Sequence, residues 1–159
     1  MKKLLTVVLA VCFVIPLVAN DPEEMTTNFE NGSGRWKGDG RVREDETGNH
    51  AYVLKKRGPN IEVATFEVEF PDSSAYEIHY RVRAMPDGSG IEMRRGVRKP
   101  NGSGGFSDLK LEPNGEWVQT KFNARGGESK NDLERTIRLI FHRGEGEIQI
   151  DDIKIQKVP

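Results

Sequence analysis

The strongest constraint on the fold is a strict alternation of side-chain character between residues 75 and 84. Every second residue of this stretch is apolar, and the residues between them are charged or histidine. A period of two is typical of a β-strand that buries one face. The predicted core side chains are Tyr76, Ile78, Tyr80 and Val82. The side chains predicted to face outward are His79, Arg81 and Arg83.

The rest of the chain also favours strands, and no stretch has a helical pattern. Glycine-rich and proline-containing turns separate short runs of β-branched and aromatic residues. Further strands are predicted at 41–44, 50–56, 61–70, 91–98, 107–111, 117–123, 135–142 and 146–156. Many short strands with such turns indicate an all-β protein, folded as a sandwich or a barrel.

The last predicted strand contains a break in its alternation. Ile148 and Ile150 share one parity, whereas Ile153 and Ile155 share the other. A β-bulge at Asp151-Asp152 would keep all four isoleucines on the buried face. A bulge would also redirect a carboxylate, which is a reason to look for a ligand at this position.

The N-terminus has the layout of a secretory signal peptide. A short basic segment, Met1-Lys2-Lys3, precedes an apolar run from Leu4 to Val18 that ends beside Ala19. The run is short for a membrane span of about 20 residues, although an uncleaved anchor remains the alternative. We therefore predict a signal peptide at 1–19, a polar leader at 20–27 and one domain at 28–159. The expected location is secreted or periplasmic.

Charge and cysteine content exclude some classes of function. The chain has 24 basic and 25 acidic residues and no basic arm, which argues against nucleic acid as a partner. Its single cysteine, Cys12, lies within the predicted signal, so the exported domain would have no disulfide. Such a domain must depend on its core or on a metal ion for stability.

Several motifs, taken in order, resemble the jelly-roll carbohydrate-binding modules, also called galactose-binding-like sandwiches. They are Asn28-Phe29-Glu30-Asn31-Gly32 with Trp36, residues 48–54, residues 76–84, Trp117, and Ile150-Asp151-Asp152-Ile153. The resemblance covers nearly all of the predicted domain. It implies an antiparallel jelly-roll β-sandwich whose function is non-catalytic binding of a polysaccharide or another glycan.

The resemblance also implies a structural Ca²⁺ ion where the first and last strands meet. Oxygen ligands suit this hard cation. Glu30 and Asp151 are the side-chain candidates, and Gly32 with Asn49 or His50 would supply backbone oxygens. The alternative is that Glu30 caps a turn and Asp151 pairs with an arginine.

The predicted ligand-binding face is basic and has few aromatic residues. Its candidate residues are Trp36, His79, Arg81, Arg83, Arg94, Phe106, Arg138 and His142. Arginine binds carboxylates and sulfates in a bidentate manner, so the partner could be an anionic polysaccharide. The alternative is a solvated face whose arginines pair with neighbouring acids.

Catalysis is less favoured than binding, because the sequence lacks a recognisable nucleophile, metal-protease or phosphate-loop motif. A small polysaccharide lyase or hydrolase remains an alternative, since the outer face has His and Arg. A structural or protein-interaction sandwich of the cell envelope is a further alternative.

Overall fold

The computed structural model describes residues 24–70, 72–127 and 133–159. The predicted signal peptide lies outside the described residues. The strands are β1 (Glu24–Thr27), β2 (Lys37–Gly38), β3 (Arg41–Glu44), β4 (His50–Lys56), β5 (Glu62–Glu69), β6 (Ala75–Ala84), β7 (Ser89–Arg98), β8 (Gly104–Lys110), β9 (Val118–Arg125) and β10 (Glu134–Lys157). No helix in this part of the chain is long and apolar enough to cross a membrane.

Two antiparallel sheets form the fold, and β10 is the central strand of both. Sheet A has the order β3-β4-β10-β6-β9. In addition, β1 pairs with Ile153 to Gln156 near the end of β10. Sheet B has the order β2-β5-β10-β7-β8. Residues 134–145 of β10 belong to sheet B, and residues 146–157 belong to sheet A. The expected all-β jelly-roll sandwich is confirmed.

The passage of β10 between the sheets depends on glycine. Gly144 has a φ of 82° and Gly146 a φ of 124°, values that favour residues without a Cβ atom. A Cβ atom on Gly144 would also collide with the carbonyl oxygens of Ser89 and Gly90. The sequence indicated two separate strands at 135–142 and 146–156, because these glycines resemble a turn. The structure joins them into one strand.

The core lies between the sheets and is built from the residues that alternation predicted. Tyr76, Ile78, Tyr80 and Val82 of β6 are all fully buried. The bulge predicted in β10 is also present: the register against β6 shifts between Asp151 and Lys154, and Asp152 has a φ of 48°. As expected, it keeps four isoleucines buried, namely Ile148, Ile150, Ile153 and Ile155.

The described fold begins earlier than the sequence suggested. Glu24–Thr27 falls within the predicted polar leader, yet it forms β1 and pairs with Ile153 to Gln156 of β10. Its four residues carry little apolar character, so their pairing is determined by the partner strand and not by their own pattern. Residues 24–27, which their polar composition assigned to a leader, are therefore part of sheet A.

Candidate functional site

The residues predicted to form one binding face lie on two opposite faces of the sandwich. His79, Arg81 and Arg83 are on β6, so they face outward from sheet A. Arg94, Phe106, Arg138 and His142 are on β7, β8 and the first half of β10, all in sheet B. Alternation correctly predicted that these side chains point outward. It does not show to which of the two sheets a strand belongs.

Arg81 and Arg83, on the outer face of sheet A, pair with acids of β10 and of the turn between β3 and β4. Arg81 Nη2 donates to Asp151 Oδ2 at 2.8 Å, and Arg81 Nε lies 2.6 Å from Asp152 Oδ2. Arg83 Nη2 donates to Asp45 Oδ2 at 2.9 Å. Nearby, His79 contacts Glu77 at 2.9 Å. These contacts agree with the alternative of internally paired charges on this face.

Trp117 covers the same two arginines. The Arg81 and Arg83 guanidinium carbons lie 5.0 and 4.5 Å from the centre of its ring. Cation–π contacts of this kind favour a fixed arrangement of both partners. With its arginines bonded to acids and its tryptophan in contact with the arginines, this part of sheet A is already satisfied by contacts within the protein.

Asp45 is held in its charged form at the edge of this network. Its carboxylate accepts hydrogen bonds from the Thr47 hydroxyl and backbone N–H and from the backbone N–H of Asn49. These bonds, Thr47 first, together with Arg83 lower the pKa of Asp45 from 3.8 to about 2. Asp45 is therefore an anion that fixes the turn between β3 and β4 and one arginine of β6.

The outer face of sheet B carries an exposed aromatic ring, and an arginine lies two strands away in the same register. Phe106 is 40% exposed. In the strand register it is opposite Gly96, which is in turn opposite Arg138. A Cβ atom on Gly96 would lie 2.8 Å from the Phe106 ring, so the ring leans over this glycine. Arg138 has no hydrogen bond or ion pair with residues 24–70, 72–127 or 133–159.

Arg94 and His142 lie farther along the same face. Arg94 forms a bidentate pair with Asp108, with distances of 2.8 and 3.1 Å. His142 Nε2 lies 3.4 Å from Asp108 Oδ1. Of the four predicted residues on sheet B, Phe106 is exposed and Arg138 has no partner among the described residues, whereas Arg94 already has an acidic partner.

Trp36 does not face solvent, contrary to the prediction that it could contact a sugar. It is 4% exposed and packs among Phe29, Tyr52 and Phe66, with ring centres 5.3 to 6.4 Å apart. The loop that carries Trp36 folds across one end of the core, where an indole fills the space between the sheets. Its role is packing.

The predicted cation ligands meet around the start of β4, in two pairs. Glu30 accepts a hydrogen bond from the His50 backbone N–H at 3.2 Å and contacts the His50 ring at 3.0 Å. The Asn49 side-chain amide donates to Asp151 Oδ2 at 3.1 Å. Gly32 has a φ of 93°, in the loop after Glu30. Asn49 and His50 thus connect the regions of Glu30 and Asp151.

Asp151 has the property expected of a cation ligand. It is 1% exposed, and its Oδ1 atom is buried without a hydrogen-bond partner in the described part of the chain. Burial, which is only partly offset by hydrogen bonds, raises the pKa of Asp151. A cation at Oδ1 would satisfy the orphaned oxygen and favour the charged form, so the residue fits a Ca²⁺ ligand.

Sequence reasoning missed a charged groove at the edge of sheet A, whose lining also includes the acids Asp39 and Glu62. It has a volume of about 550 Å³ and includes four cations of β3, β4 and the following turn. They are Arg41, Arg43, Lys55 and Arg57. Glu147, itself buried, lies 3.3 Å from Arg43 and 3.6 Å from Lys55, so two of the four are already paired. The equal parity of Arg41 and Arg43 was the only signal available.

Comparison with known proteins identifies the class to which this fold belongs. The sequence matches no protein-family model and no curated protein. The fold matches the xylan-binding CBM22-1 domain of Paenibacillus barcinonensis Xyn10C, with a TM-score of 0.64 and 15% identity over 84% of this chain and 93% of that domain. This structure and the two described next are carbohydrate-binding modules, and this chain has the same jelly-roll β-sandwich fold.

Two further structures show the same likeness. The module TmCBM61, solved with β-1,4-galactotriose, has a TM-score of 0.61 and 17% identity over 82% of this chain and 94% of that one. The C-terminal family 22 module of Clostridium thermocellum Xyn10B has a TM-score of 0.61 and 13% identity, covering 84% and 91%. At these identities the likeness extends to the fold and not to the side chains.

Proposed function

We propose that this protein is a non-catalytic carbohydrate-binding module and that the outer face of sheet B binds the glycan. The observation that carries the proposal is the exposed Phe106 ring, which leans over Gly96 on a strand-built surface. Among the described residues, the opposite face offers no comparable site, because Trp117 and the arginines of β6 already contact one another or nearby acids. Xylan binding by one matched structure and galactotriose binding by another support a glycan as the ligand class.

The chemistry of this face suits a sugar ring. An aromatic side chain gives an apolar surface on which the C–H face of a pyranose can lie, and large rings contribute strongly at binding sites. Hydroxyl groups at the ring edge need polar partners. Arg138 can donate to them, since its guanidinium has no partner among the described residues.

We also propose that the preferred glycan carries carboxylate or sulfate groups. Arg138 can bind such a group with two parallel hydrogen bonds. A contact between charges at an exposed site is screened by salt. Binding to an acidic polysaccharide should therefore weaken as ionic strength rises, whereas binding to a neutral one should change little.

The test is affinity electrophoresis against neutral and acidic polysaccharides. Xylan and β-1,4-galactan represent the neutral group, and polygalacturonate, alginate and heparin represent the acidic group. Phe106→Ala should abolish retardation, and Trp117→Ala, an aromatic deletion on the opposite sheet, should preserve it. Loss with Trp117→Ala alone would place the site on sheet A. No retardation by any polymer would instead favour the structural or protein-interaction role.

Catalysis has a separate test. A lyase acting on uronate polymers releases unsaturated products that absorb in the ultraviolet. We expect no such absorbance when the purified protein is mixed with polygalacturonate or alginate, and no release of reducing sugar from xylan. Either signal would show that the fold is used for polysaccharide cleavage.

We further propose that a structural Ca²⁺ ion binds where the first and last strands meet. Asp151 would hold it through the orphaned Oδ1 atom, and Glu30 would supply a second carboxylate. Carbonyl oxygens of Gly32 and of Asn49 or His50 complete the proposed set. The ion would link the β1–β2 loop, the start of β4 and the bulge of β10, and so stabilise a domain without disulfides.

Export from the cytoplasm is the final part of the proposal, and it rests on the apolar run after Met1-Lys2-Lys3. The protein should be found in the periplasm or the culture medium with its first 19 residues removed. Mass spectrometry of the native N-terminus checks this. An intact N-terminus in the membrane fraction would support the uncleaved anchor.

A further inference from the structure

A second group of possible metal ligands lies on the outer face of sheet B. Glu92 on β7, Asp108 on β8 and His142 on β10 each offer one ligand atom, and these atoms all lie within 4.8 Å of one another. Among the described residues, no other three His, Cys, Asp or Glu side chains are grouped so closely. This group shares no residue with the proposed Ca²⁺ site.

His142 reaches this position because the strand register is irregular there. Phe141 is opposite Met93 and Arg143 is opposite Glu92, so two steps along β10 correspond to one step along β7. His142 is the extra residue of this bulge. Bulges redirect side chains and are common next to functional sites. Here the bulge directs the imidazole towards the two carboxylates.

The His142 ring nitrogen has no ordinary partner. Nε2 is buried and makes no hydrogen bond with any described residue, and the side chain as a whole is 11% exposed. A buried polar atom of this kind is costly unless something satisfies it. Nε2 lies 3.4 Å from Asp108 Oδ1, a contact that does not form a hydrogen bond.

That distance fits a shared metal ion. Zinc binds imidazole nitrogen and carboxylate oxygen at about 2.0–2.2 Å, usually with tetrahedral geometry. Two ligand atoms on such an ion are therefore about 3.4 Å apart. One imidazole and two carboxylates also suit first-row transition metals better than Ca²⁺, which prefers oxygen alone.

We propose that Glu92, Asp108 and His142 form a binding site for a divalent transition-metal ion such as Zn²⁺. Three protein ligands leave one coordination position open for water or another oxygen ligand. The site is on the same face as Phe106, which is two residues from Asp108 along β8. The proposal does not depend on carbohydrate binding and goes beyond it.

Two arginines control the charge of the site. Arg94 pairs with Asp108, and Arg143 lies 3.2 Å from Glu92. Arg94 contacts both carboxylate oxygens of Asp108, so a metal ion at this residue would have to displace at least one of these hydrogen bonds. Arg143 is 70% exposed and can turn into solvent when a metal ion replaces it. The arginines thus neutralise the acids in the absence of metal and compete with it.

The experiment is a Zn²⁺ titration of the chelator-treated protein, purified without a polyhistidine tag, by calorimetry in millimolar Ca²⁺ at pH 7.5. We expect one ion per chain. His142→Ala should weaken binding at least tenfold. His79→Ala is the matched control, since it removes a histidine that contacts Glu77 on the opposite sheet, and it should bind as the wild type does.

Failure of the wild type to bind Zn²⁺, or equal binding by His142→Ala, would overturn the proposal. Circular dichroism establishes that each variant is folded. If His142→Ala fails to fold, Asp108→Asn provides the same test. As an independent readout, Co²⁺ should give the intense visible absorption of a tetrahedral site in the wild type and lose it in the variant. These results do not involve a glycan, so failure here is distinct from failure of carbohydrate binding.

Discussion

At the scale of single residues, a few buried or well-bonded carboxylates hold the outer surface of sheet A together. Asp45 and Asp151 each bind an arginine of β6. Both acids also bond to the segment between β3 and β4, through Thr47 or Asn49. Each of these carboxylates therefore takes part in an ion pair and also holds the segment between β3 and β4 in place.

Asp45 should contribute stability that disappears in acid. Its folded pKa, about 2, is below the ordinary value of 3.8, so the contribution is present above about pH 4 and is lost as pH falls towards 2. We expect Asp45→Asn to be less stable than the wild type at pH 7 and the difference to narrow between pH 4 and pH 2. Urea unfolding at a series of pH values measures it.

The control for this prediction is Glu46→Gln, which removes the next, exposed acid. Its difference from the wild type should remain nearly constant over the same pH range. A constant difference for Asp45→Asn as well would show that the hydrogen bonds of the turn do not favour the charged form of Asp45.

Asp151 should account for any effect of calcium on stability. In millimolar Ca²⁺ the wild type should unfold several degrees higher than in EDTA, because a ligand at about 100 times its Kd adds about 2.7 kcal/mol. Asp151→Asn should lose most of this difference. Asp152→Asn should keep it, since Asp152 is 46% exposed and is not a proposed ligand. An equal EDTA effect in both variants would argue against the proposed site.

From the sequence, alternation predicted on which side of a strand a residue lies, and the alternative that Asp151 pairs with an arginine is confirmed, but the particular arginine was not predicted. Alternation gives the side of the strand on which Arg81 and Arg83 lie, because it follows from backbone geometry alone. Their partners, Asp151 and Asp45, are 70 and 38 residues away. That pairing depends on strand order. For Trp36, residue type suggested a sugar contact, whereas the size of the indole made it useful in the core.

At the scale of secondary structure, the continuity of β10 should depend on the absence of a side chain at Gly144. We expect Gly144→Ala to lower the free energy of unfolding by about 2–4 kcal/mol, from backbone strain plus collision with Ser89 and Gly90. Gly48→Ala is the matched control, with a φ of 85° and no close neighbour. It should cost about 1 kcal/mol.

Chemical denaturation gives the free energy of unfolding of both variants. Gly48→Ala reports the cost of backbone strain alone, and Gly144→Ala reports the cost of strain plus the collision. Equal losses for Gly144→Ala and Gly48→Ala would mean that the close approach of β10 to the start of β7 does not restrict the residue type at position 144. The prediction would then be wrong, although the glycine would still be favoured by its backbone conformation.

Strand position was readable from the sequence wherever a strand has its own apolar pattern. The predicted and observed bounds of β6 agree, and the bulge in β10 was predicted from the parity of its isoleucines. The short strands β1 and β2 were missed, because Glu24–Thr27 and Lys37–Gly38 carry no apolar pattern. The grouping of His142 with Glu92 and Asp108 was missed because the bulge lies next to Gly144, where the sequence indicated the end of one strand and the start of another.

At the scale of the whole molecule, the two sheets should unfold together. Trp36 lies within the core and Trp117 lies on the outside of sheet A, so they report on two different places. Variants that retain only one of them, Trp117→Phe and Trp36→Phe, should each show one fluorescence transition. We expect Ile150→Ala to destabilise by about 2–5 kcal/mol and to shift the transition of both reporters equally.

Leu139→Ala provides the corresponding change in sheet B, at another fully buried position of β10. Each substitution should affect both tryptophan reporters, because the sheets share one strand and one core. A shift confined to the reporter nearest the substitution would show that the sheets are separate cooperative units.

The shared strand also has a consequence for the order in which the chain can fold. Residues from Glu24 to Arg125 contain nine strands, but the central partner of both sheets is made after all of them. Before then, only pairs such as β3 with β4, β7 with β8 or β6 with β9 can form. Most native contacts thus join residues that are far apart in the sequence, and they cannot form until β10 has been synthesised. A ribosome-bound chain that stops before Glu134 should therefore remain sensitive to protease.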